Sequence, residues 1–415
     1  MMKGTEMFEI KGRAATAVCY AKVIEEKAEE QIRRMCDYEL TKGSKIRIMP
    51  DVHAGKGCTI GTTMTVTDKV CPNIVGVDIG CGMYTVEINE RDIDMERVDR
   101  AAHFIPSGMN TWDKAVESFD LHKLRCFGEL NHTSRIAASL GTLGGGNHFI
   151  EIDRSSDGRC FLIIHSGSRN LGKQTAELYQ RYAVEQHKGR DEYIAERDRI
   201  ITGLKAQGRT SEIQPALVRL EERYRHTLPD VPEDLCWLTG TYLDDYLNDV
   251  EICQRFAKRS REIMAEIILE MSGLSARDSF HTIHNYIDTD EMILRKGAIA
   301  AHRGERVLIP INMRDGSVIA TGRGCEEWNF SAPHGAGRIM SRTAAKKSLT
   351  LAEYEKAMTG IYTTSVSIKT IDEAPMAYKS LSDITDVIND SVDIIDIMKP
   401  VFNFKADDED VPWKK

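Results

Sequence analysis

A chain of 415 residues, 41% hydrophobic and 29% charged, has room for two or three ordinary domains or one elaborated one, and its composition excludes a disordered or fibrous polymer. A net charge of −9 excludes a surface that is basic all over, so any nucleic-acid contact must come from a local patch. The opening "MMKGTEMFEIKGRAATAV" has no apolar run of signal-peptide length and no segment approaches a membrane span, so a cytoplasmic protein is expected.

From Val18 to Met35, "VCYAKVIEEKAEEQIRRM" places Ile24, Ala28, Ile32 and Met35 on one helical face and predicts an amphipathic helix. Short glycine-bounded runs of β-branched residues from Lys45 to Ile88 predict strands and tight turns. Among them "GVDIGCGM" reads as a buried strand, yet its centre holds Asp78 and Cys81, which have no obvious structural task there. A further strand, "GRCFLIIHSGSRNLG", ends at His165, and strand ends are where sites are built. Residues 173–271 have helical spacing, few glycines and many Glu/Arg pairs, which predicts a helical insertion. Strands return in "GAIAAHRGERVLIPINMRDGSVIATGRG", a helix is predicted after His334, and the acidic tail "ADDEDVPWKK" (406–415) reads as flexible. The ten cysteines form no short-spaced framework, so most, such as Cys19, Cys36 and Cys253, are expected to be buried thiols in a reducing compartment.

Four of the twelve histidines carry the chemistry: His148 in "GTLGGGNHFIEI", His165 in "IIHSGSRNLG", His284 in "SFHTIHNYI" and His334 in "NFSAPHGAGRIMSR". Any one alone reads as a satisfied structural histidine. With Asp78 and Cys81, three imidazoles can supply ligands for one or two divalent cations; ligand softness by itself points to zinc. A bulged strand with a hydrogen-bonded Asp78 stays equally open on spacing alone. The Gly144, Gly145, Gly146 run leaves backbone amides uncovered, and a helix opening at His334 would stack His334, Arg338 and Arg342 as a phosphate clamp. The two arginines read otherwise as a solvated face. A neutral His334 can attack phosphorus or act as a further ligand, and spacing does not decide between them.

In order along the chain, "MPDVHAGKGCTIG", "GVDIGCGM", "GGGNHFIE", "HSGSRNLG", the pair His284 and Asn285, and "HGAGRIMSR" resemble the motifs of the RtcB-type RNA-splicing ligases. The resemblance runs from Met49 to Lys405. It implies an α+β fold, with a mixed β-sheet core, surrounding helices and a helical insertion, as one catalytic domain over 1–415. It implies an RNA ligase, dependent on GTP and two manganese ions, that joins a 3′-phosphate or 2′,3′-cyclic phosphate end to a 5′-hydroxyl end. His334 would carry GMP as a phosphoramidate. One ion would be held by Asp78, Cys81 and His148 and the other by Cys81, His165 and His284. Asn147, His148, Glu151, His284, Asn285, Pro310, Met313, Ser317, His334, Gly335, Ala336, Gly337 and Lys405 would contact GTP, and Arg169, Arg338 and Arg342 RNA phosphates. The implied partners are RNA ends, GTP and an activating protein, with no membrane.

The sequence departs from the family pattern in "PINMRDG", which brings in Arg314 and Asp315 where the family loop reads close to "PGSMG". Asn170 stands where the family has glycine and is expected to tolerate a left-handed turn. Two other readings are weighed: a dinuclear phosphoesterase that uses the same ligands without nucleotide transfer, and a catalytically weak RNA-end-binding relative.

Overall fold

A computed structural model describes residues 7–55 and 57–405; the acidic tail lies outside the described residues. Strands β1 (Phe8–Lys11) and β2 (Thr16–Cys19) form a hairpin, followed by helix α1 (Glu26–Cys36) and strands β3 (Ile46–His53) and β4 (Ile60–Thr65). Next come α2 (Pro72–Val75), β5 (Gly82–Ile88), α3 (Met95–Phe104), α4 (Thr133–Ala138), β6 (Phe149–Arg154) and β7 (Cys160–Ser166). Four helices follow: α5 (Arg169–His187), α6 (Arg190–Ala206), α7 (Ile213–Arg225) and α8 (Gly240–Ser272). The chain then runs through β8 (Ala276–Ile283), β9 (Asn285–Asp288), β10 (Ile293–Lys296), β11 (Ala298–Ala300), β12 (Arg306–Asn312), β13 (Gly316–Gly322) and β14 (Ser331–Pro333). Helices α9 (Arg342–Ser348), α10 (Leu351–Ala357) and α11 (Leu381–Thr385) precede the long β15 (Val392–Lys405).

Two sheets carry the fold. One has the order β1-β2-β3-β4-β10-β9, the other β12-β13-β15-β6-β7-β5-β8, and β11 pairs β14 between them in sequence. Among the described residues, the named strands pair antiparallel throughout except β2 with β3. Antiparallel sheets with helices gathered outside them make this an α+β protein, as expected. Among the described residues no helix is long and apolar enough to cross a membrane.

The first predicted helix is shorter than its periodicity suggested. Ala17 to Cys19 are claimed by the sheet, pairing with Ile46 to Ile48 on one side and with the β1 hairpin partner on the other, so the helix begins only at Glu26. Ala28, Ile32 and Met35 keep the expected buried face. The predicted helical stretch is realised as α5 to α8. Helix α8 buries Phe256, Ile263, Met264 and Ile268 against the sheets, whereas α6 buries no side chain fully.

Candidate functional site

Sheet register explains why residues far apart in sequence meet. Gly82 in β5 lies opposite Ser166 in β7 and Ile283 in β8, and Phe149 in β6 lies opposite His165 and Lys405. The residues at these strand ends, Cys81, His148, His165 and His284, therefore share one edge of the seven-stranded sheet. The six-stranded sheet, where Asn285 pairs with Lys296, and the small β11–β14 sheet, where Ala298 pairs with Pro333, supply the facing side, and the next residue, His334, stands with its ring 4.8 Å from that of His284.

The segment bearing Asp78 and Cys81 is not a strand, contrary to the sequence reading. Gly76 and Gly80 have φ of 99° and 75°, values that side chains other than glycine rarely adopt, and the Cys81 amide donates to Asp78 O at 3.2 Å in a tight turn. A Cβ on Gly80 would come within 2.9 Å of Gln254 Cα on α8. The turn thus rests on α8 and aims both polar side chains at the sheet edge.

Two groups of three residues sharing Cys81 result: Asp78, Cys81 and His148, and Cys81, His165 and His284, each with ligand atoms within 4.8 Å of one another. Cys81 Sγ lies 3.6 Å from His148 Nε2 and 3.3 Å from His165 Nε2; His165 Nε2 lies 3.4 Å from His284 Nε2, and His148 Nε2 3.0 Å from Asp78 Oδ2. The outer ring nitrogens fix the tautomers. His148 Nδ1 donates to Leu143 O at 2.9 Å and His165 Nδ1 to Asn147 O at 3.0 Å, which leaves both Nε2 lone pairs pointing inward. Burial, reinforced by neighbouring imidazoles and other cationic groups, pushes His165 and His284 well below the usual imidazole range, so both are neutral and able to ligate a cation. Burial and Asp78 push the Cys81 thiol well above its usual range, so a cation must displace its proton. Burial also works against an ionised Asp78, but the His148 imidazole beside it outweighs this and holds the carboxyl below its usual range. Converging Nε2 lone pairs, a carboxylate and a shared sulfur fit two divalent cations.

His334 does not open a helix. Residues 334–340 are a loop in which Gly337 has φ 72° and a Cβ there would press on the Asp51 carbonyl; α9 starts at Arg342, capped by the Ser341 hydroxyl. What orients His334 is Asp51, fully buried in β3: its Oδ2 accepts from His334 Nδ1 at 2.7 Å and from the His334 amide at 3.2 Å. With Nδ1 holding the proton, Nε2 carries the free lone pair. The sequence reading missed Asp51, although an acid amid the apolar "KIRIMPDVH" was a visible signal.

A cavity of about 360 Å³ opens beside His334. Of the predicted nucleotide residues, Asn147, Glu151, Pro310 and Met313 line it, together with His334, Gly335, Ala336, Gly337 and Lys405. His284 and Asn285 line an adjoining cavity of about 230 Å³ with Asp78, Cys81 and His334. His148 belongs to the metal-ligand groups. Ser317 is buried in β13 and lines neither cavity. On the cavity wall Glu151 accepts from Asn403 Nδ2 at 2.6 Å, and burial together with Asp153 pushes its carboxyl well above the usual range.

Arg338 and Arg342 converge without a shared helix face. Both reach Glu373 Oε1, at 3.2 and 2.9 Å, while Glu373 Oε2 accepts from Lys405 Nζ at 2.8 Å and from the Tyr378 hydroxyl at 2.5 Å. Nothing in "TIDEAPMAY" announced this hub. Arg169 lies elsewhere, beside Asp78 and His148, in a cavity of about 440 Å³, and donates to Thr142 Oγ1 and Gly108 O. The left-handed residue of that turn is Arg169 itself, φ 58°; Asn170 is already helical, so the tolerance expected of asparagine is not used. In the departing loop Arg314 pairs with Asp315 at 2.9 Å, so the two added charges neutralise one another while Met313 still lines the cavity.

The family model described as tRNA-splicing ligase RtcB matches residues 34–125 and 125–406. The RNA-splicing ligase RtcB of Escherichia coli strain K12 is 29% identical over 409 residues, 87% of this chain and 90% of that protein. The tRNA-splicing ligases RtcB of Aeropyrum pernix and Thermococcus kodakarensis are 27% and 24% identical, over 82% and 85% of this chain and 83% and 86% of their own lengths.

Proposed function

The chain belongs to the RtcB family of tRNA-splicing ligases and is an RNA ligase, and from that premise we propose that it seals RNA through a guanylylated His334, with GTP and two manganese ions. His334 Nε2 attacks the innermost phosphorus of GTP; the N–P bond forms, the P–O bond to pyrophosphate breaks, and Nδ1 keeps its proton on Asp51. An oxygen of the RNA 3′-phosphate then takes the GMP and frees the imidazole. Finally the 5′-hydroxyl of the second RNA attacks the activated 3′-phosphate, forming the phosphodiester and expelling GMP. Asp78, Cys81 and His148, and Cys81, His165 and His284, would hold the manganese ions, which would supply Lewis-acid screening of phosphate charge.

The protein's own groups do the positioning. Asp51 fixes the tautomer and stabilises the charge that grows on the ring. Asn147, Glu151 and Lys405 face the nucleotide, and a protonated Glu151 would donate to it. Arg169 faces RNA phosphate directly; Arg338 and Arg342 do so in competition with Glu373. Residues 1–415 act as one catalytic domain into which 173–271 are inserted as a brace, with α8 against the sheets. All ten cysteines are free thiols, in keeping with a reducing cytoplasm.

The observation that carries this reading is His334, tethered through Nδ1 at 2.7 Å to a buried carboxylate and adjacent to the cysteine-centred ligand groups. The test is incubation with α-labelled GTP and manganese. Acid-labile, alkali-stable label on the protein is expected, and none on His334→Ala. Label that persists in the variant rejects the nucleophile, and an unlabelled parent protein that still hydrolyses phosphoesters favours the phosphoesterase.

A further inference from the structure

Behind the turn that carries Asp78 and Cys81, on the far side of Gly80, lies a further cavity of about 430 Å³ between α8 and the β8–β9 strands. Its size is that of a small-molecule site. Gln254, Lys258 and Arg261 enter it from one face of α8, spaced by four and three residues. His281 enters from β8.

Three of these residues hold buried polar atoms without a partner: Gln254 Oε1, His281 Nδ1, and both Nε and Nη2 of Arg261. Buried polar groups are almost always bonded, so their concentration on one cavity marks a place where something else completes them. Arg261 is the strongest case, because it is fully buried and has no carboxylate partner among the described residues. A buried guanidinium lacking a counter-charge is costly. Of the acids around the cavity, Glu251 is paired with Arg255 at 3.7 Å and Asp288 with Arg295 at 3.9 Å, which leaves Glu305, bonded to the His302 amide, as the one uncompensated carboxylate against Arg261 and Lys258. Lys258 has no ion pair among the described residues. The spare charge is therefore positive.

The other two orphan atoms ask for donors. His281 Nε2 faces Glu262 at 3.2 Å and carries the proton, which leaves Nδ1 as a lone pair. Burial, with Arg261 and Lys258 close by, pushes this imidazole down to about 3 and keeps it neutral. Gln254 Oε1 is likewise an acceptor.

We propose that this cavity binds a small phosphorylated, hydroxyl-bearing ligand, of the sugar phosphate or mononucleotide class, with the phosphate between Arg261 and Lys258 and hydroxyls on Gln254 and His281. The same guanidinium joins the cavity to the catalytic edge. Arg261 Nη1 donates to Gly80 O at 2.8 Å and to Ser166 O at 2.7 Å, clasping the two segments that carry Asp78, Cys81 and His165. An occupant thus bears on the metal-ligand loops; that consequence rests on the ligase reading, whereas the binding itself does not.

The test uses full-length protein with chelator present and GTP absent, so its failure is separate from failure of the nucleotide chemistry. Ribose 5-phosphate and, separately, inorganic phosphate are titrated in by calorimetry. One site for ribose 5-phosphate is expected, at least about tenfold tighter than for inorganic phosphate, weakened at least about tenfold in Lys258→Glu and retained in Arg342→Ala. A crystal soaked with the sugar phosphate should show its phosphorus beside Arg261 Nε and Nη2. Absence of binding at millimolar concentration, affinity unchanged in Lys258→Glu, loss in Arg342→Ala, or ordered water alone at Arg261 would each overturn the proposal.

Discussion

Replacing Asp51 by asparagine probes the proposed nucleophile without touching it. In the native site the imidazole Nδ1–H donates to a fully buried carboxylate at 2.7 Å, and positive charge grows on the ring as Nε2 bonds phosphorus. A hydrogen bond to a charged group contributes about 1.5–3 kcal/mol, and this one strengthens as the charge develops, so it acts on the barrier rather than on GTP binding. At 1.36 kcal/mol per tenfold, Asp51→Asn should slow guanylylation roughly 10- to 150-fold. If the new amide turns its NH₂ toward Nδ1, the proton is forced onto Nε2 and the loss is larger, as in triad Asp→Asn variants at roughly ten-thousandfold. The assay is single-turnover transfer of label from α-labelled GTP at saturating nucleotide, with a melting curve to show that the variant is folded. A folded Asp51→Asn protein that labels at the parent rate would refute the idea that Asp51 sets the reactive tautomer.

Cys81→Ala should lose both metal ions together, because Sγ belongs to both ligand groups; elemental analysis showing that one full equivalent stays bound would contradict a shared sulfur. Gly167→Ala places a methyl group against the Asp78 carboxylate and should cut metal occupancy at the Asp78, Cys81 and His148 group while the protein stays folded; unchanged manganese content would argue against Asp78 as a ligand. Glu373 gives a pH signature. Burial alone would raise its carboxyl, but Lys405 and Arg342 hold it down to about 2, from 4.5. Its stabilisation is therefore complete above about pH 4.5 and lost as pH falls toward 2, at most about 3 kcal/mol from the 1.36 kcal/mol per pKa unit. Urea unfolding at pH 7 and pH 3 should show this fall in the parent and a shallower one in Glu373→Gln; equal slopes would mean that the hub does not couple to stability.

The chemistry-bearing residues were legible because their types are out of place locally. A thiol and a carboxylate among glycines in "GVDIGCGM", and a histidine closing the apolar run "CFLIIH", have no obvious role in a core; each alone leaves a structural reading open, and only their combination with His148 and His284 and the ordered motifs points to a site. Periodicity found the helices of 173–271 through the charge-paired stretches of α6 and α7, although α6 buries no side chain fully and α7 only Leu220, while β7 stood out as a continuous apolar run. It failed at Val18 to Met35, where pairing of Ala17 to Cys19 with Ile46 to Ile48 overrode helical spacing. It failed again after His334, where Gly337 and the Asp51 carbonyl leave no room for a helix.

Only tertiary structure decided who faces whom. Asp51 and His334 lie 283 residues apart, and their bond follows from β14 ending beside a bulged β3, a fact of register that neither segment states alone. Glu373 and Arg261 look like ordinary charged residues in sequence; burial among three cations makes one a hub, and burial with only backbone carbonyls as hydrogen-bond partners among the described residues sets the other apart. Sequence by itself determined which side chains are available to ligate or attack. Antiparallel register determined that they meet at one edge, because hydrogen-bonded strands fix the positions of their ends to within a residue.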